Sequence, residues 1–368
     1  MNISKSSSTI RLIAFFLVAA TLICTFGFTV DGWSLRNKNN GITSSNENNN
    51  EIGDTGLETP STDLPTTNEP EIYIPEFVNS LTGLETSEQL SKKRPIAIVM
   101  NSDSALYATS RADFIAEFPI EDGSARMLAF ITDTNEIGKI GSISSGRNYI
   151  LNISRYYGAL PICYGIEDLA QGSNYNDIFD LTKYTGYHYS EYTQYQYTND
   201  DLLAAGIKNA SIDMTNTAVS VPYLFNPFGS EPVKGDVKAE NIRIAFSDSS
   251  VTELKFSKES RVYTYLQNDE VKKDLLNDNY LSFSNCLVLF ADSITYEDSN
   301  GTQMVMNTIG KGIGYYFTEG TVTSISWNAD TNNGLTILTE SGDTLTINRG
   351  KTYVAFVKSS KPQSVTFK

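Results

Sequence analysis

The sequence predicts an α+β protein: an N-terminal α/β domain followed by a mostly antiparallel β domain, preceded by one transmembrane helix and a disordered stalk. Three observations carry this prediction. A nineteen-residue run without a charge stands near the amino terminus. About sixty residues poor in apolar side chains follow it. Beyond about residue 92 strand and helix periods interleave, and after about residue 238 the strand period stands almost alone.

Residues 1–11 read as a cytoplasmic tail and residues 12–30, LIAFFLVAATLICTFGFTV, as the membrane segment. As a helix it spans roughly 28 Å, close to the hydrocarbon thickness of a bilayer. Lys5 and Arg11 precede it and Asp31 follows, which keeps the amino end inside and places the body of the chain outside. Two readings compete. A cleaved signal asks for a small-x-small site, which TFGFTVDG does not supply; lipidation of Cys24 asks for a small residue before it, where Ile23 stands. The expectation is a single-pass cell-membrane protein with its folded domains extracytoplasmic.

Residues 31–91 read as the disordered linker, rich in Asn, Ser, Thr, Glu and Pro. Such a composition cannot bury enough surface to offset its ordering entropy, and sixty flexible residues reach roughly 40 Å. The whole chain carries 43 acidic and 28 basic residues, a net charge of −15, with no basic stripe. Phosphate backbones repel it, which excludes nucleic acid as a partner.

Residues 92–235 are expected to form the α/β domain. RPIAIVMN (94–101), ADFIAEFPI (112–120) and ARMLAFITD (125–133) read as strands, the last two joined at EDGS. RNYILNISRYYG (147–158) reads as a helix ending at Gly158, ALPICYG as a buried strand, and EDLAQG and NDDLLAAG as short helices each closed by glycine. Residues 236–368 supply ten strand-length runs, from NIRIAF to TYVAFVK, separated by turns such as TEG, NNG, SGD and NRGK. Their spacing predicts a sandwich or barrel-like unit with one helical insertion near DEVKKDLLND. Cys163 and Cys286 fall in apparent buried strands, where a disulfide and two free thiols are both open readings.

In order, and over about residues 94–358, the blocks RPIAIVMN, ADFIAEFPIEDGSARMLAF, IGSISSGRNYI and GKGIGYYFTEGTVTSISW…GDTLTINRGKTYVAFV resemble the YerB-like family. These are bacterial envelope proteins, many of them lipoproteins, with two paired domains of unknown function. The resemblance implies a two-domain extracytoplasmic body and no particular reaction. Of the family's Ile-Gly-Pro-x-Arg-Ser-Ala-Arg block, Ile140, Gly141, Ser145 and Arg147 match, while Ser142, Ser144 and Gly146 depart from it. Cys163 and Gln194 stand where the family usually carries histidines. Arg126 and Arg147, with Asp113, Glu117 and Glu121, remain of the charged set.

The catalytic inventory is thin. A nucleophilic triad needs a histidine, and the single one, His188 between Tyr187 and Tyr189, is tied to no serine or cysteine by any spacing rule. Asp113 and Glu117 share one face of a strand and Glu121 follows at a turn. These three are weak catalytic candidates, since a glycosidase needs two carboxyls roughly 5–10 Å apart across a cleft. Ion pairs to Arg111, Arg126 or Arg147 are the competing structural reading. Candidate ligand-binding residues are Arg126, Arg147, Ser144 and Ser145, with Tyr187 and Tyr189 from GYHYSEYTQYQY, a stretch suited to half-buried fold and sugar platform alike. GKGIG (310–314) leads into a strand and reads as a close backbone approach, not a phosphate loop; NADTNNGLTILTE (328–340) reads as a hairpin turning at Asn333-Gly334, not a calcium loop. No metal or cofactor is expected. The functional expectation is a membrane-anchored, non-enzymatic binding or scaffold module for an envelope protein or peptidoglycan, with a wall-glycan hydrolase using paired carboxylates as the alternative.

Overall fold

The computed structural model describes residues 72–167, 177–191, 195–215, 219–298, 301–331 and 333–368, within the compact unit Asn68–Lys368. The apolar run 12–30, the linker up to residue 71, Gln194 and nearly all of EDLAQG lie outside these residues. Among the described residues no helix is long and apolar enough to cross a membrane.

A mixed sheet of fourteen strands runs through the unit. Its first part comes from β1 (Ile96–Asn101), β2 (Phe114–Pro119), β3 (Ala125–Ile131), β4 (Lys139–Ile143), β5 (Leu160–Cys163), β6 (Tyr189–Glu191) and β7 (Tyr195–Asn199). A second, antiparallel sheet is built on β8 (Asn241–Ala245), β9 (Val251–Ser257) and β10 (Val262–Gln267). The chain returns to the large sheet as β11 (Asn285–Ala291) and leaves it as the hairpin β12 (Ser293–Asp298) and β13 (Gly301–Met306). It re-enters with β14 (Gly310–Thr318), β15 (Thr321–Asp330), β16 (Gly334–Leu338) and β17 (Thr352–Lys358). Finally β18 (Val365–Phe367) joins the second sheet beside β8.

The large sheet orders its strands β15-β14-β11-β17-β2-β3-β1-β4-β7-β6. Strand β17 is parallel to both neighbours, with Thr352 opposite Asn285 on one side and Phe114 on the other. The C-terminal half is therefore no self-contained antiparallel unit: its last long strand joins the two halves into one sheet. TYVAFVK is buried at six of seven positions, the pattern of an interior strand covered on both faces.

Alternation along the strands fills two cores. On one face Ile98, Ile115, Val288 and Ala355 meet Ile242, Leu254, Tyr263 and Tyr265 of the second sheet. The other face carries Val99, Phe114, Phe118, Leu287 and Phe356. Each such large side chain contributes about 1.5–3 kcal/mol on burial.

Three α-helices are found among the described residues: α1 (Glu88–Ser91), α2 (Asn148–Tyr156) and α3 (Asp200–Asn209). Helix α2 lays Tyr149, Ile150, Leu151 and Ile153 against the second core. Helix α3 is capped by Asn199, whose Oδ1 accepts from Leu202 N at 2.8 Å. It runs past Gly206, the expected stop, because that glycine lies under Phe179 and Tyr187, where a Cβ would stand 2.5 Å from the Phe179 ring. It is a contact glycine.

Two further expectations are corrected. The helical insertion near DEVKKDLLND is not formed; Glu270–Val271 pairs with Leu266–Gln267 instead. Asp274, fully buried, accepts from the backbone N–H of Ala108 (3.1 Å), Ser110 (2.9 Å) and Leu276 (3.0 Å), and such charge-assisted bonds favour this loop over a solvated helical turn. The linker also ends earlier than residue 91. Leu81 is buried, and the Thr82 and Gly83 carbonyls accept from Gly350 N (2.8 Å) and Arg349 Nη1. Cys163 and Cys286 are free and buried in opposite cores.

Candidate functional site

The three candidate carboxylates do not face one another across an open cleft. Strand β2 turns Ile115 and Glu117 toward the second sheet, and Glu117 is 0% exposed. Its carboxyl accepts from Thr252 Oγ1 (2.8 Å), Tyr265 OH (3.0 Å) and Tyr353 OH. Burial pushes its pKa up to about 7, against the three hydroxyls that hold it down. Asp113 accepts from Thr132 N at 2.9 Å, and burial raises its pKa as well.

Glu121 is engaged by Arg147, through Nε at 3.2 Å and through Nη2. The Arg147 Nη1 group donates to Ser145 Oγ at 2.6 Å and pairs with Glu167 at 3.0 Å. Burial alone would lower the guanidinium pKa; the Glu121 carboxylate more than offsets that, and it is raised. Arg147 thus organises the entry to α2. Arg126 lies nearby, half-buried, its Nη1 making only long bonds to Asn101, Ser124 and Ala125 at 3.3–3.4 Å; burial and the neighbouring Arg147 charge lower its pKa. Ser144 serves the backbone ladder, its N donating to Val99 O and its O accepting from Tyr164 N.

Tyr187 packs on Phe179 (6.4 Å between centroids) above Gly206. Tyr189 tilts against Tyr197 at 6.1 Å. The Lys139 ammonium sits 3.9 Å from the Tyr197 ring centroid and 4.1 Å from that of Tyr107, and bonds Glu191 at 2.6 Å. This aromatic box is filled by the protein's own cation. His188 is bonded through Nδ1 to Gln196 Oε1 at 3.0 Å and lies edge-on to Tyr164. In GKGIG, Gly312 and Gly314 let β14 approach the Phe290 and Val288 carbonyls, where a Cβ would stand within 2.4 Å.

Open concavities lie elsewhere, two of them along the outer side of α2. One cavity of about 340 Å³ is bounded by Arg147, Asn148, Asn152 and Glu167 on one wall and by Gln303, Met304 and Asn307 of the β13 hairpin on the other. A second, about 280 Å³, adjoins it, sharing Asn152 and Ile309 and adding Arg155, Tyr156 and Asn333. Together they follow a helix about 13 Å long. Five carboxamides, Asn148, Asn152, Gln303, Asn307 and Asn333, stand in the polar lining beside the charged Arg147, Arg155 and Glu167. A carboxamide carries a donor and an acceptor in one plane, as vicinal hydroxyls and acetamido groups require. Within the protein Asn307 Oδ1 accepts from Ile309 N at 3.2 Å and Asn333 Nδ2 donates to Asp330 Oδ2 at 2.9 Å, which leaves the Asn307 amino group and the Asn333 oxygen to face the groove. Only Arg147 among the sequence candidates borders this groove. The amides had no motif to mark them, since hairpin and helix meet only in the fold.

The two sequence units thus build one body, with β17 of the second paired to β2 of the first. Residues 81–212 match the N-terminal domain, and residues 242–354 the C-terminal domain, of the protein of unknown function DUF3048. A Bacillus subtilis (strain 168) protein named "Putative lipoprotein YerB" is 22% identical over 305 residues, covering 78% of this chain and 88% of its own. The crystal structure of YerB from Bacillus subtilis superposes with a TM-score of 0.69 at 19% identity, covering 80% of this chain and all of the other. The chain belongs to the YerB-like, DUF3048 family.

Proposed function

We propose that this protein is a membrane-tethered, extracytoplasmic binding module of the cell envelope, and that the groove along α2 seats a wall glycan. The observation that carries the reading is the amide-lined double cavity, long enough for more than one sugar ring and bordered by Tyr156. The name of the Bacillus subtilis relative supports membrane association and an outward-facing body. Attachment runs through residues 12–30 or a lipid on Cys24. The candidate acids speak against the hydrolase alternative: Glu117 is sealed among hydroxyls and Glu121 is committed to Arg147.

Co-sedimentation of the full chain with purified peptidoglycan tests this. Retention is expected, and Gln303→Ala with Asn307→Ala should lower it about tenfold, as two lost hydrogen bonds would, with cooperative thermal unfolding kept and its midpoint lowered only by the lost Ile309 N to Asn307 Oδ1 bond. Equal retention of the variant would remove the groove from the proposal. Released muropeptides would instead revive the hydrolase, and capture of a crosslinked protein with no glycan retention would favour a protein partner.

A further inference from the structure

A second site lies away from the α2 groove, at the turn between Thr346–Ile347 and β17. There Arg349 lies flat on Phe228, its guanidinium carbon 3.6 Å from the ring centroid, with Phe225 at 5.8 Å. Its Nη1 donates to the Gly83 carbonyl, and its Nε is buried without a partner. Among the described residues no carboxylate lies within 4.0 Å of it, and burial, with no neighbouring charge, is the cause that lowers its pKa. Arg261, close by, differs: Glu319 takes it through two contacts, at 3.0 and 2.9 Å.

Partly exposed, stacked on a ring and without a carboxylate partner, Arg349 keeps donors that a ligand entering from solvent can take up. Around Arg349 opens a cavity of about 390 Å³, whose lining includes Phe228, Ser230, Ser260 and Ser284. Arg261 is taken by Glu319, and the Glu231 carboxylate also acts on it, which leaves Arg349 as the lining cation without an ion-pair partner among the described residues. Gly83 and Gly350, both at positive φ, hold the walls close: a Cβ would stand 2.9 Å from Arg349 Nη1 at the first and 2.2 Å from Ser284 Oγ at the second.

We propose that this cavity is an oxyanion site, in which the Nη edge of Arg349, held flat by Phe228, takes a single carboxylate or phosphoryl group while the serine hydroxyls complete its hydrogen bonds. The planar fork matches either group, and Phe228 fixes its orientation. The acidic remainder of the molecule disfavours polyanions, so the ligand is one that presents its charge singly.

Calorimetric titration of the detergent-solubilised full chain with inorganic phosphate, glycerol 1-phosphate and an N-acetylated dipeptide ending in a free carboxylate tests the site. At least one probe should bind, and Arg349→Gln should weaken it tenfold or more. Arg349→Lys, which keeps the charge and loses the fork, should fall between. Selective binding of the phosphates or of the dipeptide identifies the group; binding of both assigns the shared oxyanion chemistry. No binding by any probe, or equal binding by Arg349→Gln, overturns the proposal. Should Arg349→Gln fail to fold, the Arg349 side-chain nitrogen resonances of the unmodified chain provide the readout, and their failure to shift with any probe overturns it equally. Because the α2 groove is untouched, loss of oxyanion binding with glycan retention intact separates the two sites.

Discussion

Glu117 turns burial into a pH dependence. Its folded pKa of about 7 stands above the ordinary value of 4.5, so the native state holds the proton more tightly than the unfolded chain. The stability this proton contributes is fully present below about pH 4.5, falls as pH rises, and is lost through pH 7. The loss amounts to about 3 kcal/mol. Glu117→Gln, neutral throughout, should flatten that fall; denaturant unfolding at pH 5 and pH 7.5 measures it. Parallel losses in the two proteins would show that the Thr252, Tyr265 and Tyr353 hydroxyls stabilise the charged form fully. The sequence exposed the acid and its strand face, but its three donors lie 135, 148 and 236 positions away. Local spacing cannot see such partners. Arg349 was hidden for a related reason: NRGK read only as a turn, while the ring that holds its guanidinium comes from residue 228.

Elements were legible wherever one period governed them. ISWNAD alternates buried and intermediate positions along the second half of β15, with Ile325, Trp327 and Ala329 buried, as a half-buried strand must, and RNYILNISRYYG gave α2 to within two residues. Misreadings arose where a tertiary contact overrode the local signal, as at Asp274 and Gly206. Gly206 yields a test. In a free helix Gly→Ala gains about 1 kcal/mol, yet here the new methyl would meet the Phe179 ring at 2.5 Å and Tyr187 at 2.9 Å. Overpacking of this kind costs about 1–3 kcal/mol, so Gly206→Ala should lower the urea midpoint. A raised midpoint would mean that both rings give way freely, and Tyr187 would return as a candidate for surface binding.

At the scale of the molecule, the apparent two-domain sequence folds around a shared seam. Family matches to residues 81–212 and 242–354 describe two sequence units, but β17 from the second lies between β11 and β2, hydrogen-bonded along both edges. Without it, β2 would show an unpaired edge and Phe114, Ala116 and Phe118 would lose Val354 and Phe356 from their core. Cut off from the whole C-terminal half, Glu117 would lose all three hydroxyl donors, since residues 252, 265 and 353 all come from it. A buried carboxyl stripped of its donors, beside an open strand edge, is a strong bias against folding alone. Residues 72–235 and 236–368 produced separately should therefore each give the collapsed amide spectrum of an unfolded or aggregating chain. Mixed or co-expressed, they should recover a dispersed spectrum and co-purify as a one-to-one complex. A folded, monomeric N-terminal half would show instead that β17 is a late addition to an already stable sheet, and the seam would lose its structural role.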